Sequence, residues 1–429
     1  MYVTGIIAEY NPLHLGHQYH IDQTRAIAGQ DDSHFIITVL SGDFVQRGLP
    51  AIIDKHTRAR MALEAGSDLV LELPVSYALS SGEGFGFGGV SLLHQLGCVD
   101  ALSFGTEEGT LHKLLPIARA LHFEQTAASN DTKTTYQQTY QTSLKQGLTH
   151  PVAQNKALSC AYPDLDLSVL DGQSNNMLAL EYCKALYRLP SPIRPITVKR
   201  MGQSYLDDTV SECKNSLHFA SATSIREHLR QRPISEGTYP SDPLEDQVSL
   251  FVKDVLLNAQ RKNTLIHPDD FSQLLHYKLL TLSKEQLMDY LEISGDFSNK
   301  LLRNLGQFEN LSQFANLLWT KETTYARVCR NLMNLILDIK NDTWDVRQPV
   351  PYARVLGFRK TSAPLLSEIK KNACIPLITK LADAEKLLSP DAYRLLELDM
   401  KAAHIYDSVL LHKSGQKSNH EMQKQIVII

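Results

Sequence analysis

The chain has 429 residues, of which 43% are hydrophobic and 21% charged, so a disordered or fibrous polymer is excluded and two sizeable cores can be buried. No run of about 18 apolar residues occurs, and the N-terminal MYVTGIIAEYNPLHLGHQYH lacks a basic segment followed by an apolar stretch, so an unexported, cytoplasmic protein is expected. The net charge of -4 hides an asymmetry: from residue 321 onwards there are 17 Lys and Arg against 12 Asp and Glu, a balance that suits a polyanionic partner or an ordinary solvated helical surface.

The first third alternates strands and helices. Residues 3–8 (VTGIIA), 35–40 (FIITVL), 68–73 (DLVLEL) and 100–104 (DALSF) are short β-rich runs, with helical spacing between them at 57–65 and 89–96. That order predicts an α/β fold, a parallel sheet covered on both faces. Between 111 and about 190 the pattern turns helical (136–148, 152–160 and 175–187), which reads as a helical insertion; 193–199 (IRPITVK) is a further strand and 224–229 a further helix. The α/β unit therefore spans residues 1–230. Residues 231–243, with Pro233, Pro240 and Pro243, form the expected linker, and leucines at helical spacing thereafter predict a mostly α-helical unit over 231–429. The six cysteines show no paired spacing, which argues against a disulfide framework and a zinc ribbon.

The chemistry concentrates at Gly5–His20, where a strand ends at Ala8 and the turn Glu9-Tyr10-Asn11-Pro12 leads into His14-Leu15-Gly16-His17 at a helix start. Free N–H groups and the partial positive charge of a helix N-terminus beyond a parallel strand suit phosphate, and imidazoles three residues apart share one helix face. Zinc binding and plain satisfied turn histidines are the competing readings of such a pair; no third ligand stands nearby. A second hydroxyl-rich helix start, Ser221-Ala222-Thr223-Ser224-Ile225-Arg226, fits either phosphate or an ordinary N-cap.

The H-x-G-H segment after a first strand resembles the HIGH-type nucleotidyltransferase superfamily, whose members transfer adenylyl groups from ATP. GIIAEYNPLHLGH, LSGDFVQRG, DLVLELP, FGTE, SNNMLALEY and PYARVLGF together resemble the bacterial tRNA(Met) cytidine acetate ligase family across nearly the whole chain. The resemblance implies activation of acetate by ATP as acetyl-adenylate, then acetylation of N4 of the wobble cytidine of elongator tRNA(Met). It implies His14 and His17 as catalytic residues. ATP contacts would come from Ile7, Ala8, Glu9, Tyr10, Asn11, Pro12, Leu13, His14, Leu15, Gly16, His17, Gln18, Tyr19 and His20, then Gly105, Asn175, Lys199 and Arg200, and the turn residues Ser221, Thr223, Ser224 and Arg226. Ser41, Gly42 and Arg47 are assigned to an acetate or nucleotide pocket. Arg347, Arg354, Arg359, Lys360, Lys370 and Lys371, interleaved with Tyr352 and Phe358, are the expected tRNA surface, with a packed turn as the alternative for PYARVLGF. Mg2+ is expected as the counter-ion of ATP, with no protein ligand set legible. Departures from the family pattern fall at Ser174, Ala179 and Asp43. An adenylyltransferase acting on a small phosphorylated acceptor and a non-catalytic RNA-binding protein are the alternative functions.

Overall fold

The computed structural model describes residues 1–27, 33–107, 109, 111–126, 131–148, 150–170, 174–200, 219–231, 244, 246–320 and 323–429. Ten strands occur among them: β1 (Tyr2–Ala8), β2 (His34–Ser41), β3 (Phe44–Val45), β4 (Leu49–Pro50), β5 (Leu69–Leu73), β6 (Ala101–Thr106), β7 (Arg194–Lys199), β8 (Ala353–Phe358), β9 (Leu377–Ile378) and β10 (Val427–Ile428). The main sheet runs β10-β8-β5-β2-β1-β6-β7, with β9 beside β8, while β3 and β4 form a separate hairpin. From β5 to β7 every pairing is parallel. The parallel sheet expected from the strand–helix alternation is therefore present, and each of its five strands lies within a residue or two of its expected place.

Both faces of this sheet are apolar, as crossover connections demand. Along β2, Phe35, Ile37 and Val39 join one core with Leu69, Leu71 and Leu102, whereas Ile36 and Leu40 join a second with Ile6, Val70 and Leu356. The first core is covered by helices Gly82–Gln95, Leu111–Thr126 and Ser174–Arg188, the second by Leu15–Ile27, Lys55–Glu64 and Leu250–Arg261. A third core gathers helices Ser272–Thr281, Gly295–Asn304, Leu311–Leu318, Tyr325–Leu337 and the 25-residue Pro390–Ser414. No helix among the described residues is long and apolar enough to cross a membrane.

The expectation of a helical unit from residue 231 onwards needs correction. Residues 353–358 return to the sheet as β8, antiparallel to β5, and carry β9 and β10 with them. The physical reason is alternation: Val355 enters the first core and Leu356 the second, so a six-residue run resembling a packed turn is a strand buried on both faces. Residues 232–243 of the expected linker, and Cys213, lie outside the described residues; Gln231 closes helix Ala222–Gln231.

Candidate active site

From β1 the chain winds outward through β2 and β5 on one side and through β6 and β7 on the other, so the strand order reverses between β1 and β6. Ligands of open parallel sheets occupy the crevice beyond the carboxyl ends at such a reversal. The turn after β1, the end of β6 and the end of β7 all open there.

The turn is held by its own buried residues. Tyr10, at a φ of 44°, is 2% exposed and sits edge-on to His17 with ring centroids 5.0 Å apart; Leu13 is equally buried. Asn11 Oδ1 accepts the Ile52 N–H at 2.8 Å, and Glu9 Oε1 accepts the Gln46 N–H at 2.8 Å. Tyr10, Leu13 and Asn11 thus form scaffold beneath the crevice. Gln18 is turned away as well, donating to Asp22 and to the Ala65 carbonyl. His20 contacts Ser103 Oγ at 2.9 Å, and Tyr19 packs against Phe219.

The two imidazoles stack with centroids 3.8 Å apart. His14 Nδ1 accepts the Gly16 N–H at 3.1 Å, and His17 Nδ1 faces the His14 N–H at 3.3 Å. With both Nδ1 atoms accepting, each neutral ring carries its proton on Nε2, ready to donate. Neutrality is enforced: burial above all, then the Arg200 and Arg226 guanidinium groups, hold the His14 pKa down to about 3. Burial, then His14 and Arg200, keep His17 well below the ordinary value, and burial with Arg200 takes His20 to about 4. A β-carbon at Gly16 would stand 2.9 Å from His14 Cε1, so glycine is what lets the His14 ring fold over the helix start.

Arginines close the site from two sides. Arg226 donates to the Asn11 carbonyl at 2.6 Å and to Thr223 Oγ1 at 3.1 Å. Its helix is capped by Ser221, whose Oγ accepts the Ser224 N–H at 3.1 Å, so the N-cap reading of Ser221 holds, while the buried Ser224 Oγ has no hydrogen-bond partner among the described residues. Across the crevice, Arg200 Nη1 donates to Asn175 Oδ1 at 2.8 Å, and Asn175 Nδ2 donates to Glu107 Oε1 at 2.6 Å. A β-carbon at Gly105 would meet Arg200 Cγ at 3.1 Å, so glycine leaves room for this arginine beside the strand end. Lys199 is exposed one residue earlier. Together the described side chains offer an anion two Nε2–H donors, two guanidinium groups and a helix N-terminus.

The Ser41–Gly42 assignment changes character. Ser41 has no exposed surface, and the Ser41 and Gly42 carbonyls are both bound by Arg58, so these two residues serve the scaffold rather than a pocket wall. Arg58, itself fully buried, also donates to the Glu9 carbonyl at 2.8 Å and the Ile53 carbonyl at 3.0 Å, fastening the ends of β1 and β2 to one another. Arg47 is half-buried in the β3–β4 hairpin loop.

The expected tRNA surface is also rearranged. Arg354 is 4% exposed, clamped between Glu72 at 2.7 Å and Glu421 at 2.6 Å, and Tyr352 is fully buried with its hydroxyl on Asp399 at 2.6 Å, so neither reaches an outside ligand. Because β8 runs antiparallel, Phe358 pairs with Leu69 at the opposite edge of the sheet from the histidines. There Arg359 donates to the Leu63 and Ser67 carbonyls. Lys360, Lys370 and Lys371 are exposed, and Arg347 is exposed but paired with Asp345 at 2.8 Å.

Residues that sequence reasoning missed include Gln247, whose carbonyl accepts the Leu15 N–H at 2.8 Å and whose Oε1 accepts the Ala220 N–H at 2.5 Å, tying the two helix starts together. Lys55, which with His56, Arg58 and Arg60 makes a basic helix start that reads in sequence as a phosphate contact or a solvated face, is neither: it is 1% exposed and bonds Glu72 at 2.8 Å and Glu421 at 2.7 Å. A signal was available, since Lys55, Arg58, Ala59 and Ala62 share one face of a helix whose remaining small residues mark that face as buried.

Comparison with known proteins places these features in a family. The HIGH Nucleotidyl Transferase profile matches residues 1–423. The tRNA(Met) cytidine acetate ligase of Clostridium perfringens is 37% identical over 414 residues, 95% of each chain, and that of Clostridium acetobutylicum is 37% identical over 439 residues, all of both chains. The crystal structure of Thermotoga maritima TmcAL bound with alpha-thio ATP matches at 26% identity with a TM-score of 0.87, covering 100% of this chain and 99% of that one. Its apo form matches with a TM-score of 0.88.

Proposed function

The chain belongs to the HIGH nucleotidyl transferases and, among them, to the tRNA(Met) cytidine acetate ligases, and from that premise we propose that it joins acetate to N4 of the wobble cytidine of elongator tRNA(Met) at the expense of ATP. An acetate oxygen attacks the α-phosphorus, the bond from that phosphorus to the bridging oxygen of the β-phosphate breaks, and pyrophosphate leaves. The cytidine amine then attacks the acetyl carbon of acetyl-adenylate, AMP departs with the electron pair of the broken anhydride bond, and the amine releases a proton. The anhydride is needed because the N4 lone pair is delocalised into the ring and does not attack free acetate. Apart from binding, the second step asks the protein to position the amine and exclude water.

One observation carries this reading: two stacked imidazoles, held neutral and with both Nδ1 atoms engaged by backbone N–H groups, at the reversal point of the sheet near Arg200 and Arg226. Negative charge grows on the departing pyrophosphate, and donors fixed before the reaction stabilise it more than they stabilise bound ATP. His14 and His17 are the catalytic residues in this account; Arg226, Arg200 and the Ser221 helix start hold the phosphates, and the Glu107–Asn175 pair edges the nucleoside side. Among the described residues no group of three or more His, Cys, Asp or Glu could hold a metal; Mg2+ serves in this account as the counter-ion of the triphosphate. The cytoplasm, where ATP and tRNA are found together, is its place of work.

The test is to incubate the protein with ATP, labelled acetate and total bacterial tRNA, digest the RNA and assay N4-acetylcytidine. Adenylyl transfer to a small phosphorylated acceptor in its place would replace this function with the alternative one.

A further inference from the structure

A second cavity, of about 710 Å3, lies apart from the histidine crevice, between helix Leu250–Arg261, helix Pro390–Ser414 and the segment 416–425. Its size falls within the roughly 300–1,000 Å3 of small-ligand clefts. Its floor is Ile53 to Thr57, the start of helix Lys55–Glu64. That floor is the far side of the segment that supports the catalytic turn: Ile52 binds Asn11, and Arg58 binds the Glu9 carbonyl. The segment 52–58 therefore connects the cavity to the turn that carries the histidines.

The lining has a particular chemistry. Asn258, Gln416, Asn419 and Gln423 offer amides, each both donor and acceptor, over apolar ground from Ile53, Val255 and Leu410. Two of the three lysines, Lys262 and Lys417, have no ion-pair partner among the described residues, whereas Lys424 is held by Asp407 at 2.8 Å and Glu421 at 3.2 Å. The acids are occupied: Asp407 by Lys424, and Asp54 by the His56 and Thr57 N–H groups of its own helix. Amides suit the edge of a nucleobase, the apolar floor suits its face, and two unpaired ammonium groups suit a phosphodiester on either side. The segment 416–419 is fully exposed, so the cavity opens to solvent along that side.

We infer that this cavity is an RNA subsite, receiving one unstacked nucleotide of the substrate strand near the cytidine to be acetylated. The inference rests on the tRNA reading above. A subsite in a separate cavity gives the enzyme a hold on the strand that does not occupy the adenylate crevice, so the RNA binds while acetyl-adenylate is in place.

The experiment uses the full chain with exposed-residue variants: the double substitution K262A/K417A, and separately Asn258→Ala. Acetate-dependent ATP–pyrophosphate exchange, which needs no RNA, is measured beside N4-acetylcytidine formation over a range of tRNA concentrations and salt. K262A/K417A should leave exchange unchanged and raise the KM for tRNA about tenfold, with the slope of log affinity against log salt falling by about 0.7 for each lysine. Asn258→Ala should weaken tRNA without changing that slope, because it removes an uncharged contact. An unaltered KM and slope for tRNA in both variants would overturn the subsite, and so would a raised KM for ATP in place of tRNA, which would make the cavity a free-nucleotide site. Wild-type protein that forms no N4-acetylcytidine at all would refute the functional reading itself; wild-type activity with unaffected variants refutes only the subsite.

Discussion

Lys55 and His17 stand in the first turns of two helices on the same edge of the sheet, and their surroundings treat charge in opposite ways. Around Lys55, two cations and three carboxylates are at most 5% exposed and almost fully paired: Lys55 and Arg354 against Asp43, Glu72 and Glu421. Burial and Arg354 push the Lys55 pKa down, but Glu72, Glu421 and Asp43 outweigh them and leave it raised. Around His17, the stacked rings feel nearby arginines, no carboxylate among the described residues is bonded to either imidazole, and the rings are kept neutral. The first cluster completes its own charge and fixes β5, β8 and the 421 segment to one another. The second leaves its donors unspent, which is what an incoming polyphosphate requires.

The sharpest way to break this comparison is Lys55→Met. Removing one partner strands buried carboxylates, so stability should fall by ~3–5 kcal/mol, read as a lower urea midpoint, with activity following the folded fraction. A variant as stable as wild type would show that the cluster holds nothing together. His17→Ala should do the converse: acetate-dependent pyrophosphate release falls by about 10²–10³-fold, while the urea midpoint moves much less than for Lys55→Met. Unchanged release would remove the charge-stabilising role.

Acid should separate the clusters next. In the unfolded chain His14 titrates near its ordinary 6.5, and in the folded chain at about 3. Between those values the unfolded state binds more protons, so the stability contributed is intact above about pH 6.5 and is lost progressively as pH falls towards 3. The slope from this residue is at most ~1.4 kcal/mol per pH unit. His14→Asn should flatten the acid limb of a stability–pH curve; an identical limb would mean that His14 is not held neutral. The smallest effect is expected from Ser221→Ala, a lost N-cap worth ~1 kcal/mol, detectable as a raised KM for ATP with little change in kcat.

The sequence made one of these regions plain and concealed the other. His14, Gly16 and His17 are adjacent in the chain, follow a strand of unmistakable composition and announce a helix start, so local pattern and chemistry coincide. Asn175 and Arg200 were reachable through strand and helix ends and are bonded to each other, whereas Glu107, the other partner of Asn175, was not singled out. The Lys55 cluster draws on residues 43, 55, 72, 354 and 421, which no local window contains, and its charges resemble a solvated surface until the fold buries them. The same blindness put Arg354 among the RNA contacts. Charge count located a basic third of the chain but gave no information on which cations were already bound to carbonyls or carboxylates, as Arg359 and Arg354 are.

The late return of β8 has a consequence for the newborn polypeptide. When a ribosome has released residues as far as Gln231, the five parallel strands exist, but β5 has a neighbour on one side only; its other side waits for Ala353–Phe358. Until then a bare, apolar border is available to any other chain with a free strand. A fragment that stops at Gln231 should therefore sediment as aggregate when the intact polypeptide stays dispersed, and the nucleotide-handling half of this molecule is completed only by its last hundred or so residues.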